Sequence, residues 1–251
     1  MLTAIRASDL KQIPASYCTK AKDFYICPVC HQEVILKHGL IKIAHFAHKS
    51  SEACEYGAGE SEEHRQCKTE IYEHLARADY LECALEKSMG AVRPDIFFKS
   101  KRTGKQYAVE VQLSTLPLER IIARTQEYNR LGVHVLWLPQ YSKKLEANRY
   151  SPHIWERWLH TVYYGRIYYW ISGTTINAYQ FDKYRLYVEA TEYGGGYFKT
   201  SKRYKKAKFL GSLDILNDFQ GIKRKGWNDG PIVVPTCSIL LDSTLKLPLK
   251  G

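Results

Sequence analysis

Arg93-Pro94-Asp95-Ile96, followed after a reversal by Val109-Glu110-Val111-Gln112, is the stretch whose reading decides the fold. Apolar segments surround both, Val92 to Phe98 and Tyr107 to Leu113. Ser100-Lys101-Arg102-Thr103-Gly104 between them is rich in residues that favour chain reversal. Alternate side chains of a strand share a face, so Glu110 and Gln112 point one way and Val109 and Val111 the other, into a core. A hairpin in this register brings Asp95 beside Glu110. Ionised groups in such apolar segments need a partner. A hard divalent cation, which takes oxygen ligands and keeps several waters, is one. In phosphodiester hydrolysis such a cation polarises the phosphoryl oxygen and lowers the pKa of bound water.

The flanks extend the pattern. Ser61 is a good N-cap, and Glu62 and Glu63 suit the first turn of a helix reaching to about Ala78. His64, Lys68, Ile71, Tyr72 and Leu75 fall along one side of it at helical spacing, so two polar residues continue an apolar stripe. Glu60, His64 and Lys68 are thereby candidates for the same pocket as Asp95 and Glu110. Three strands follow, Tyr80 to Leu85, Val92 to Phe98 and Tyr107 to Leu113. A second helix is capped by Thr115, has Pro117 in its first turn and is stopped by Gly132. Leu118, Ile121, Ile122, Thr125, Tyr128 and Leu131 face inward along it. Val133 to Leu138 then reads as a strand buried on both faces. The order is αβββαβ.

Upstream, Cys27-Pro28-Val29-Cys30 is a tight knuckle whose two thiolates can grip one zinc ion. Strands on either side of His38-Gly39 make a hairpin. His45, His48 and Cys54 lie within reach to close a tetrahedron. His48 and Cys54 fall past the hairpin, where a second ligand pair belongs, and His45 is the alternative. Four protein ligands make a structural site with no open position for chemistry.

The chain has 251 residues, enough for two or three modest domains. Lys and Arg number 37 against 26 Asp and Glu, a formal charge of +11, which suits a polyanionic partner such as nucleic acid. No stretch is apolar enough to span a bilayer and the first residues lack a signal-peptide core. With seven cysteines, this gives the expectation of a reducing, cytoplasmic setting and no membrane partner. From Tyr141 the character changes, with Trp155, Trp158, Tyr163, Tyr164, Tyr168, Tyr169 and Trp170 crowding together and a basic run at 199–208. Lys202, Arg203, Lys205 and Lys206 in that run, and Arg120, Arg124 and Arg130 on the second helix, are candidate phosphate contacts. The aromatics are candidates for stacking on bases or for an ordinary core.

Taken together, Cys27-Pro28-x-Cys30, His45-Phe46-Ala47-His48-Lys49-Ser50, Cys54, Glu60-Ser61-x-x-His64-x-x-x-Lys68, Asp95 and Glu110-Val111-Gln112 resemble the competence protein CoiA family. The resemblance implies a restriction-endonuclease-like PD-(D/E)xK core in an α/β fold, behind an N-terminal zinc-finger-like module. It implies residues 1–58 for that module, 59–140 for the core and 141–251 for a basic, aromatic C-terminal α+β region. The implied function is that of a Mg²⁺- or Mn²⁺-dependent deoxyribonuclease, a hydrolase acting on DNA during competence-related uptake and recombination. Asp95 and Glu110 would be its metal ligands and Zn²⁺ its structural ion. The expected partners are single-stranded or branched DNA and the recombination machinery. Gln112 stands where most of the wider superfamily has Lys. Either Lys68 then supplies the cation from the helix, or the fold binds DNA as a catalytically weak or inactive recombination accessory.

Overall fold

The computed structural model describes residues 1–19, 23–39, 42–49, 54, 56–57, 59–112, 116–228 and 232–246. Its contacts divide the chain into two units, Met1–Gly104 and Lys105–Gly251. Each holds strands and helix in a mixed α/β arrangement, with three α-helices in all among the described residues.

The first unit begins with five short strands, β1 (Thr3–Arg6), β2 (Gln12–Pro14), β3 (Tyr25–Ile26), β4 (Glu33–Lys37) and β5 (His45–His48). They form an antiparallel sheet in the order β2-β1-β3-β4-β5. Along β4 exposed and buried residues alternate, which turns Val34 and Leu36 inward. These side chains join Met1, Ala4, Tyr25 and Phe46 in a small core, with the rings of Tyr25 and Phe46 4.9 Å apart. The expected hairpin is present. It pairs Lys37 with His45 and Val34 with His48, so His48 lies on its second strand, where the spacing predicts it past the hairpin.

Helix α1 runs from Glu62 to Ala76, and the side chain of Ser61 accepts the hydrogen bond of His64 N at 3.2 Å, as its N-cap role requires. Ile71, Tyr72 and Leu75 are buried on the expected stripe, and Lys68 is buried with them. The helix packs on the antiparallel pair β6 (Leu81–Leu85) and β7 (Ile96–Ser100), in which Leu85 faces Ile96. The sequence places this second strand at Val92 to Phe98, but it starts only at Ile96. Pro94 has no N–H to give a ladder, and residues 86–95 close instead as a loop through Glu86 N to Asp95 O at 3.0 Å. Asp95 therefore precedes its strand.

In the second unit, β8 (Gln106–Gln112) is followed by α2 (Leu118–Arg130) and β9 (Val133–Pro139). Leu113 and Thr115 lie outside the described residues, and α2 starts at Leu118 with Pro117 at its N-cap, where the sequence places Thr115 as cap and Pro117 in the first turn. Gly132 ends the helix at a φ of +70°, a conformation glycine adopts freely. Strands β8 and β9 are parallel, with α2 as the crossover, and α2 packs on β9. Glu110 and Gln112 are buried together with Val109 and Val111, so β8 is enclosed on both faces, as parallel strands are.

Helix α3 (Ile154–Val162) leads into β10 (Ile167–Ser172), β11 (Thr175–Val188) and β12 (Tyr197–Asp214), an antiparallel sheet in that order. Finally β13 (Phe219–Arg224) pairs with β14 (Cys237–Asp242), which lies parallel to β9 and gives the order β13-β14-β9-β8. Trp155, Trp158, Tyr163, Tyr168, Tyr169 and Trp170 are all buried here. This aromatic cluster is a core. The indole of Trp137 donates to Thr125 Oγ1 at 3.0 Å and its backbone N–H to the Tyr163 hydroxyl at 2.9 Å, which ties helix, strand and cluster together.

Candidate functional site

Two clusters of chemically capable side chains lie in the first unit. In the first, one ligand atom from each of Cys27, Cys30, His48 and Cys54 falls within 4.8 Å of the others. The knuckle holds the pair in a turn in which Cys27 N donates to Gln32 O and Val29 N points at Cys27 Sγ. Pairing of β4 with β5 then places His48 Nε2 3.3 Å from Cys30 Sγ, and Cys54 Sγ lies 3.8 Å from Cys27 Sγ. His45, three residues before His48 and so on the opposite face of β5, turns its Nδ1 to Ile43 O at 2.8 Å and stands outside the group. Ser50 of the motif is outside the described residues. All seven cysteines are free thiols. Burial pushes the Cys27 thiol up to about 11, while the Gln32 backbone holds Cys30 below its ordinary value. A Cys₃His set of this closeness is compatible with structural zinc, which takes four such ligands and drives thiols to thiolate.

The second cluster gathers around Lys68. Its ammonium is buried and meets three carboxylates, Glu60, Glu86 at 2.6 Å and Asp95 at 3.5 Å. Burial by itself lowers the pKa of such an amine, but Glu86, Asp95 and Glu60 together outweigh it and hold Lys68 well above its ordinary value. His64, one turn earlier on α1, sits between Glu60 and Asp95, with Nδ1 3.7 Å from the former and Nε2 3.5 Å from the latter. Sequence spacing thus brought Glu60, His64 and Lys68 to one place, and the fold adds Asp95 to them.

Glu86 is the member that sequence reading missed. It is buried in the loop after β6 with a φ of +50°, a region that non-glycine residues seldom occupy. Its carboxylate accepts from the backbone of Leu2 at 3.0 Å and Thr3 at 3.1 Å, from Thr3 Oγ1, from the Tyr56 hydroxyl at 2.5 Å and from Lys68. Burial opposes the charge, yet Lys68, the Met1 amino group and these donors hold the carboxyl down at about 2. Gly57 completes the enclosure. Its φ is +74° and a Cβ there would lie 2.5 Å from Met1 N, which itself pairs with Glu60 at 3.2 Å. No periodicity marks a buried carboxylate in a loop, so no signal in the sequence points to Glu86.

In the second unit, Glu110 Oε1 accepts from both the Arg124 guanidinium and the Tyr128 hydroxyl on α2. Gln112 is buried two residues on, at 5% exposure. Of the candidate phosphate contacts, Arg124 is thus engaged with Glu110 and Arg130 with Glu127, while Arg120 is exposed. Lys202, Arg203, Lys205 and Lys206 all lie on β12.

Comparison with known proteins divides the chain where the two clusters divide it. The family model described as competence protein CoiA, N-terminal domain, matches residues 9–57, which carry the cysteine–histidine group. The one described as competence protein CoiA, nuclease-like domain, matches residues 60–183, from Glu60 through α1, Asp95 and Glu110 into β11. The chain belongs to the competence protein CoiA family. It is similar to the competence protein CoiA of Bacillus subtilis (strain 168), 31% identical over 122 residues. That match takes in 47% of this chain and 32% of the relative, so the chain spans about a third of the length of the CoiA protein it matches. No solved structure matches it. Residues beyond 183, including most of the β11–β12 hairpin, lie outside both CoiA domain matches.

Proposed function

We propose that this chain is a Mg²⁺- or Mn²⁺-dependent deoxyribonuclease that acts on DNA during competence-related uptake and recombination, in the cytoplasm. The observation that carries the reading is the grouping of Glu60, Glu86 and Asp95 around Lys68 inside the nuclease-like domain. The carboxylate oxygens gathered there are the hard ligands that a divalent ion takes.

Asp95, at 17% side-chain exposure, is the most accessible of these carboxylates, and with Glu110 it is the proposed ligand pair. The ion would supply Lewis acidity toward the scissile phosphate. Lys68, at 4% side-chain exposure and with its donors directed at carboxylates, takes the part of a positioning residue: it holds Asp95 in place and keeps like charges together. His64 steadies Asp95 and Glu60 from the outer side. Zinc in the Cys27, Cys30, His48, Cys54 group would keep a small N-terminal core folded and take no part in cleavage.

Incubating the protein with single-stranded, duplex and branched DNA in Mn²⁺ tests the reading. Cleavage is expected from the wild type and not from the Asp95→Ala, Glu110→Ala double variant. Equal cleavage by both would overturn it. One observation favours a second reading, a DNA-binding recombination accessory without turnover. Glu110 is already held by Arg124 and Tyr128, and Gln112 brings no charge to its strand. DNA binding that persists while no cation or substrate yields cleavage would establish that accessory role.

A further inference from the structure

Strand β10 pairs with β11 only as far as Tyr179, and from there β11 and β12 continue as a two-stranded ribbon to Val188 and Tyr197. Between Lys199 and Lys208, six of ten residues are basic (Lys199, Lys202, Arg203, Lys205, Lys206 and Lys208) and none is acidic. No ion pair forms at any of the six among the described residues. Asp182 is the strand partner of Lys206, and no salt bridge joins their side chains among the described residues. A row of cations left unneutralised along one strand is a surface for a polyanion.

The pairing breaks at one place. Lys183 faces Lys205 but Arg185 faces Thr200, so Ser201–Tyr204 bulges out opposite Tyr184. Guanidinium groups collect at the bulge. Those of Arg149 and Arg203 lie 4.8 and 5.3 Å from the centre of the Tyr204 ring, and Arg157 donates to Arg203 O at 2.9 Å while its Nε is buried with no partner. The nearby carboxylate of Glu156 is taken by the hydroxyls of Tyr150 and Tyr169 and by His153 N. Three arginines that form no ion pair among the described residues suit a phosphate.

Farther out the ribbon carries aromatics that no core covers. Tyr187 and Phe198 are a cross-strand pair with ring centres 5.1 Å apart, exposed by 56% and 65%, and Tyr193 at the turn is 97% exposed. A lipid or protein surface would account for the apolar rings and a duplex for the charges. Flat rings interleaved with unpaired cations fit a chain that offers both phosphates and unstacked bases.

We propose that the β11–β12 ribbon is a binding arm for single-stranded nucleic acid, with phosphates held at the Ser201–Tyr204 bulge and bases stacked on Tyr187 and Phe198. The arm and the carboxylate cluster belong to different units of the chain, and the proposal stands whether or not that cluster cuts DNA.

The test measures anisotropy of labelled oligothymidylate with the full chain, without added Mg²⁺ or Mn²⁺, over a series of salt concentrations. Tyr187→Ala with Phe198→Ala is expected to weaken binding about tenfold with the salt dependence unchanged. Lys202→Ala, Arg203→Ala and Lys206→Ala together are expected to weaken it and to flatten the slope of log affinity against log salt by about 2. Unchanged melting temperatures show that both variants fold. Wild-type affinity in both would overturn the proposal. So would tighter binding of a duplex that ignores the aromatic pair, or ribbon-dependent binding to phosphatidylserine vesicles with none to the oligonucleotide.

Discussion

Lys68 Nζ lies 2.6 Å from Glu86 Oε1, joining a buried residue of α1 to a loop residue whose carboxylate also holds the backbone of Leu2 and Thr3. One buried ion pair therefore fixes the position of the N-terminal strand, the helix and the loop that carries Asp95. Removing one partner leaves the other charged and enclosed, at a cost of about 3–5 kcal/mol. Glu86→Gln and Lys68→Met should each lower the urea midpoint by a corresponding amount, and a variant as stable as wild type would count against this account. Arginine at 68 should not rescue, since its planar fork does not match three carboxylates around a point charge.

The same pair predicts an acid limb. Glu86 is held at about 2, below its ordinary value of 4.5, so the unfolded chain binds a proton there before the folded one does. Its stabilisation is present above about pH 4.5 and is lost as pH falls toward 2. Lys68 is shifted upward, so its contribution is complete below its ordinary 10.5 and does not change across this range. Urea midpoints at pH 7, 4 and 3 should fall for wild type and fall less for Glu86→Gln. Parallel curves would refute the assignment.

The cysteine–histidine group predicts one zinc ion per chain. Serine at Cys27, Cys30 or Cys54, or alanine at His48, should abolish stoichiometric zinc by elemental analysis and unfold the N-terminal sheet, whose own core is small. His45→Ala should retain the metal, since that ring is turned to Ile43 O. Loss of zinc in this last variant alone would reassign the ligands.

How much of this was legible depends on how local the cause is. The knuckle and the Ser61 cap arise from residues a few positions apart and stand where spacing put them, while the hairpin forms with its second strand reaching on to His48. Helix α1 likewise placed His64 and Lys68 on the stripe that meets Glu60. Glu86 was hidden because its partners come from positions 2, 3, 56 and 68, and its backbone conformation has no composition signature. The start of β7 was misjudged because apolar content at Val92 outweighed the missing N–H of Pro94. The crowd of Trp and Tyr at 155–170 is buried except for Tyr164, and the most exposed rings lie farther on, in a ribbon whose strands read from sequence only as a basic run.

Asp95 and Glu86 should separate activity from stability. Asp95 keeps 17% of its side chain exposed, and without it Lys68 still has Glu60 and Glu86. Asp95→Asn should cost about 1 kcal/mol of stability and, if it ligates the catalytic ion, reduce Mn²⁺-dependent cleavage by more than about a hundredfold. A variant that cleaves normally would remove Asp95 from the proposed site.

The base of the ribbon carries its own pH dependence. His160 on α3 is half-buried against Phe181, with ring centres 5.1 Å apart, and its Nε2 accepts the backbone N–H of Phe181 at 3.0 Å. Burial, with Lys205 adding to it, lowers its pKa to about 4. An acceptor nitrogen has to be unprotonated, so the folded form resists the proton that the unfolded chain takes up near 6.5. Stability should therefore be complete above about pH 6.5 and fall as pH drops toward 4, a window higher than that of Glu86. His160→Gln, which keeps an acceptor but does not titrate, should flatten the curve between pH 6.5 and 4.5 while leaving the steeper loss below it. If the variant follows the wild-type curve throughout, His160 is not the group that sets it.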